Sequence, residues 1–115
     1  MSQNPVSANT NQDRGNGMPT ISRKFDSYKV TYESFGAGQP GATITCYLQS
    51  KNIGRIDFYD AIPASRKNRI EDDLIILVFR ITSFSDVLAM LRSKRTFSLV
   101  LETDLPSFPI GYVAT

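Results

Sequence analysis

Residues 73–93 read DLIILVFRITSFSDVLAMLRS, and the change of period inside this stretch decides the fold. Leu74 to Phe79 form an unbroken apolar run rich in β-branched residues. A run of that kind suits a central strand covered on both faces, or one held in a dimer interface. Left exposed, six such residues without a proline would template aggregation, so the run must be buried. Beyond Thr82 the spacing changes. Phe84, Val87, Leu88 and Leu91 fall at i, i+3, i+4 and i+7, which is one face of a helix. Ser83 followed by Asp86 predicts an N-terminal cap, and Arg92 and Lys94 suit the negative end of the helix dipole.

Upstream, three stretches alternate with period two. In residues 25–35, FDSYKVTYESF, the side chains of Tyr28, Val30 and Tyr32 share a face. In residues 42–49, ATITCYLQ, Ile44, Cys46 and Leu48 point inward and Thr43, Thr45 and Tyr47 outward. In residues 53–59, IGRIDFY, Ile56 and Phe58 point inward and Arg55, Asp57 and Tyr59 outward. This is the pattern of an antiparallel meander with one apolar and one polar face. Downstream, residues 96–102 alternate through Phe97, Leu99 and Leu101, and residues 110–114, IGYVA, make a short last strand. The predicted order is β-β-β-β-α-β-β. The expected architecture is two-layer α+β: a mostly antiparallel sheet of five or six strands with one amphipathic helix packed across one face.

Residues 1–24 are expected to be a disordered tail, because Ser, Asn, Gln, Thr, Gly and Pro dominate residues 1–20 and cannot bury enough surface to offset ordering entropy. Residues 25–115 are then a single domain. The tail carries three basic and one acidic side chain and the rest ten of each, so the excess positive charge is confined to the tail. The domain lacks the broad positive field of a non-specific nucleic-acid binder. No apolar run is long enough to span a bilayer and the N-terminal residues have no secretory apolar core, so the expectation is a cytoplasmic protein without a membrane partner.

The chain has no histidine and one cysteine, Cys46. That excludes histidine-dependent catalysis, a Cys–His pair and an internal disulfide. Cys46, on the inward face of its strand, reads as a small buried apolar residue. The acids Glu71, Asp72 and Asp73 lack the alternating ligand spacing of a calcium loop and read as solvated charge. Asp57 shares a face with Arg55, which favours an ion pair over an acid/base dyad with Asp60. No catalytic residue, no metal ligand and no cofactor is expected.

Residues 36–41, GAGQPG, match a G-x-G-x-x-G spacing through Gly36, Gly38 and Gly41, with Gln39 inside the loop. A strand follows rather than a helix, so there is no helix N-terminus to hold a pyrophosphate, and the pattern reads as a turn. Its free N–H groups still mark it as a contact surface. Two basic clusters, Arg66, Lys67 and Arg69 on a loop and Arg92, Lys94 and Arg95 after the helix, are the other candidates. With Tyr47 and Tyr59 on the polar sheet face they would make a stacking platform for single-stranded nucleic acid if they converged. The function expected is a non-catalytic binding or interaction module, with a second copy of the chain or another protein as partner. Single-stranded nucleic-acid binding is the alternative, and a small carboxylate-dependent enzyme the third reading.

Overall fold

A computed structural model describes residues 20–33, 38–93, 96–102 and 109–115, and among these described residues there are eight strands and one α-helix. In chain order the elements are β1 (Thr20–Phe25), β2 (Ser27–Tyr32), β3 (Ala42–Leu48), β4 (Lys51–Tyr59), β5 (Arg69–Glu71), β6 (Leu74–Arg80), α1 (Phe84–Leu91), β7 (Phe97–Glu102) and β8 (Ile110–Ala114). They form not one sheet but two: a five-stranded sheet in the order β2-β3-β4-β6-β5 and a three-stranded sheet in the order β1-β7-β8.

The alternation of the large sheet sets its two faces. Across it, Tyr28, Cys46, Gly54 and Ile75 are register neighbours, as are Val30, Ile44, Ile56 and Leu77, and then Tyr32, Ala42, Phe58 and Phe79. These rows face the core, except that Tyr32 at the sheet edge stays exposed. The small sheet opposes them with Phe25, Phe97, Leu99 and Leu101, all buried. Leu99 of β7 lies over Gly54 of β4.

The single-sheet expectation is corrected here, and the cause is the assignment of residues 20–24 to the tail. Thr20–Phe25 is a strand that pairs antiparallel with β7. Ile21 and Phe25 turn inward, and Arg23 at the intervening inward position reaches the β5–β6 turn, where its Nη2 lies 3.1 Å from Asp73 Oδ1. At Asp26 the chain passes from the small sheet to the large one; its N–H donates to Tyr47 O (2.9 Å). Residues 1–19 of the expected tail lie outside the described residues.

β6 is a buried, near-central strand, as its apolar run implies, and Ile75 to Val78 are all buried within one chain. Its neighbour β4 runs parallel to it, a pairing between strands separated by the whole 60–73 stretch. That stretch was expected to be a loop, yet Arg69–Glu71 form β5 and make a hairpin with β6. The turn is Asp72–Asp73, both at positive φ (52° and 64°), and Gln49–Ser50 make the equivalent β3–β4 turn (51° and 68°). Two left-handed residues match the right-handed twist of the strands they join, and at Asp72–Asp73 the short polar side chains tolerate that conformation.

The helix presents the predicted face: Val87, Leu88 and Leu91 are buried. Phe84 at its start packs edge-on to Phe58 (centroids 5.1 Å apart) and to Tyr32 (5.6 Å). It therefore closes one side of the core beside the small sheet rather than lying across a whole face. The predicted Ser83 cap makes no side-chain hydrogen bond, because a 3-10 turn at Ile81–Ser83 leads into the helix and Ser83 itself is helical. Among the described residues no helix is long and apolar enough to cross a membrane.

Candidate functional site

The polar face of β3 and β4 is the floor of a hollow of about 440 Å³. Period two puts Thr43, Thr45, Arg55, Asp57 and Tyr59 on that outer face, away from Ile44, Ile56 and Phe58. Thr31 and Glu33 border it beside β2, and Gly38, Gln39 and Pro40 rise at the same side. The opposite rim is Arg66 with Arg69 and Glu71 of β5.

Five residues singled out from separate stretches of the sequence thus meet in one place: Gly38, Gln39, Tyr59, Arg66 and Arg69. Gly38 has φ +73° and open space around it, as a turn glycine should. Gly41 does not touch the hollow; it is buried, donates its N–H to Phe58 O (2.8 Å) and accepts from Glu33 N (2.9 Å), so it staples the loop base. Lys67 is exposed outside the hollow, and its carbonyl accepts from Arg69 Nη1 (3.0 Å). Gly36, Lys94 and Arg95 lie outside the described residues.

Of the second basic cluster only Arg92 is among the described residues, and it does not border the hollow. Arg92 caps the helix, its N–H bonded to Leu88 O, and borders a different cavity with Phe25, Tyr28 and Phe97. The tyrosines also differ from expectation. Tyr59 points to the outer face but is only 3% exposed, and Tyr47 is half-buried and outside the hollow, beside a register shift between Cys46 and Tyr47. The expected stacking platform of exposed Tyr47 and Tyr59 is therefore corrected: packing removes the Tyr59 ring from solvent, and Tyr47 does not border the hollow.

Asp57 is the buried charge of the site, with its side chain 5% exposed. Arg55 Nε donates to Asp57 Oδ1 (2.9 Å) and Oδ2 (3.2 Å), and Thr43 Oγ donates to Oδ1 at 3.3 Å. A buried carboxylate is tolerated only when paired in this way. Asp60 does not border the hollow, so the two acids form no dyad around a shared substrate position. Glu71 accepts from Arg69 Nε (2.8 Å). That hydrogen bond and the Arg69 charge, with Arg55 and Arg66 further off, hold the Glu71 carboxyl below the usual carboxylate range.

Thr31, Glu33, Thr43 and Thr45 were not singled out by sequence reasoning as site residues. The alternating polar face held the signal for the threonines, but the concavity of that face comes from how the flanking loops rise, which no local pattern records.

Cys46 is buried against the core, and burial pushes its thiol from 9.0 up to about 12. The native thiol is expected not to react with a disulfide reagent at pH 8, and to react at the rate of unfolding; prompt reaction would mean the strand is open. Because the folded thiol holds its proton where the unfolded one has lost it, this contribution to stability is whole below about pH 9 and is lost as pH rises toward 12.

A scan against protein-family models and searches of curated proteins and of solved structures return no match to this chain.

Proposed function

We propose that the domain is a non-catalytic binding module and that the hollow on the outer face of the large sheet is its ligand-contacting surface. The observation that carries this reading is the convergence of Gly38, Gln39, Tyr59, Arg66 and Arg69 on one polar concavity. Clefts of a few hundred cubic ångströms with a few placed polar groups are the usual form of a small-ligand site. The catalytic alternative has less to stand on, since Asp57 is committed to Arg55 and Thr43. The nucleic-acid reading ranks second, because single-strand binding relies on exposed aromatic faces.

The test is amide-shift mapping of the full chain with four probes: a nucleoside triphosphate, citrate, glucose and octauridylate. At least one is expected to shift amides in residues 38–40, 43–45, 55–59 and 66–71. Shifts confined to other surfaces, or none at all, would refute the reading.

A second copy of the chain is the macromolecular partner we propose. The apolar run of β6 is covered within one chain and asks for no partner. The support lies on β8, an uncharged strand paired on one side only among the described residues, with Ile110 53% exposed. Natural edge strands usually carry a charge or a proline that blocks pairing. Light scattering at roughly 100 μM, a range in which weak edge pairing is populated, should give a dimer mass. Ile110→Lys should return it to monomer. A monomeric wild type would contradict the proposal.

A further inference from the structure

Three guanidinium groups line the hollow, Arg55 on its floor and Arg66 and Arg69 on its rim, and their donors outnumber the acceptors the described residues offer them. Arg55 spends Nε on Asp57, and its Nη1 and Nη2 have no acceptor among the described residues. Arg69 gives Nε to Glu71 and Nη1 to Lys67 O, which leaves Nη2. The Arg66 side chain is exposed and takes no acceptor among the described residues. The acids are arranged differently. Asp57 is consumed by Arg55 and Thr43, Glu71 is shared with Arg69, and Glu33 sits at the far rim beside β2. The hollow is formally neutral, but its charge is split: spare positive donors on the β4–β5 side, a carboxylate on the β2 side.

We propose that the hollow binds a small oxyanion, an organic phosphate or carboxylate, whose anionic group seats between Arg55, Arg66 and Arg69. This rests on the hollow being the ligand-contacting surface and names the class of ligand it takes. Guanidinium is the side chain whose planar fork of donors matches phosphate and carboxylate oxygens, and it remains charged throughout the physiological range. Glu71 acts as an internal carboxylate in that position: it occupies one face of Arg69 when no ligand is present and competes with an incoming anion. The remainder of the ligand would lie over Thr45 toward Gly38 and Gln39, where hydroxyl and backbone groups favour a polar body. The volume of about 440 Å³ suits a ligand no larger than a nucleotide.

The experiment is calorimetric titration of the full chain at low salt with pyrophosphate, citrate and, as neutral control, glucose. Saturable binding of pyrophosphate or citrate is expected, and whichever binds more tightly identifies the oxyanion type. Arg66→Gln and Arg69→Gln should each weaken it about tenfold, the loss expected for one hydrogen bond to a charged group. Glu71→Gln should tighten it severalfold by removing the competing charge. Arg92→Gln, remote from the hollow, should leave it unchanged. Absence of saturable binding by both oxyanions would overturn the proposal, as would binding that is indifferent to Arg66 and Arg69. Glucose shifting amides in the hollow while both anions stay silent would refute the oxyanion and leave the binding surface intact. Silence of every probe in the hollow would remove both. Arg66 is exposed on a loop, so its variant should fold, and a melting curve confirms that.

Discussion

Gly54→Ala is expected to lower stability by roughly 3 kcal/mol, the upper range for overpacking a close contact. A Cβ at this position would stand 2.3 Å from Ile75 O and 2.8 Å from Leu99 Cδ1. The first is backbone of the parallel neighbour β6 and cannot rotate away. The second belongs to the opposing sheet. The methyl group would therefore push apart β4 and β6 and lift β7 at once. A domain of this size holds on the order of 5–10 kcal/mol in all, so the variant would be near the limit of folding. Gly111→Ala is the contrast. Its Cβ would meet Leu77 Cδ2 at 2.4 Å and the Asn68 side chain at 3.0 Å. Both are side-chain atoms, which yield more readily than backbone, but Leu77 is fully buried and Asn68 is held by Pro109 O and Val78 N–H, so the cost should be nearer 2 kcal/mol. Urea midpoints of the two variants measure the difference. Equal midpoints would mean the sheets do not pinch at Gly54.

Arg55→Met should be the second large effect, about 3 kcal/mol, because it strands the Asp57 carboxylate in a buried position with Thr43 as its one remaining partner. The Arg55 side chain is itself 32% exposed, so little of the loss comes from its own contacts. Arg55→Met combined with Asp57→Val should recover most of the stability, since an apolar pair of similar shape removes the unpaired charge. A double variant as unstable as the single would show that Asp57 is not the source of the cost. The double variant would still lose anion binding. In that way the pair's two roles separate: Asp57 fixes the Arg55 guanidinium, and Arg55 offers its free nitrogens to the hollow.

Much of this was legible in the residues. The inward and outward sides of β3 and β4 followed from alternation between Ile44 and Phe58, and the helix face from Phe84, Val87, Leu88 and Leu91. What was not legible depends on non-local pairing. Thr20 to Phe25 carries an arginine at an inward position, so its alternation is weak, and it is a strand because β7 is there to pair with it. β5 is three residues long and exists only as the partner of β6. The parallel pairing of β4 with β6 joins residues about twenty apart in sequence, and no local pattern names it. With β1 missed, the second sheet was missed, and the helix was assigned a whole face to cover.

The site divides along the same line. The Arg66 to Arg69 cluster, the glycine loop and Tyr59 were each visible as residue types. Their meeting place was not, because it depends on the loops at both rims of the sheet rising over its polar face. Tyr59 shows the limit most clearly. Parity put it on the outer face, where it is, but parity carries no information on what packs above it.

The most direct measurement blocks the hollow itself. Thr45 is half-buried on its floor, on the face turned from the core, and is the cross-strand neighbour of Arg55. Thr45→Trp would fill the space without altering charge. The amide spectrum of the full chain, titrated with whichever of pyrophosphate and citrate binds more tightly, should shift at residues 38–40, 55–59 and 66–71 in the wild type. In the variant those shifts should vanish while the spectrum stays that of a folded domain. Shifts that survive the tryptophan, or that fall on other surfaces in the wild type, would contradict binding in this hollow.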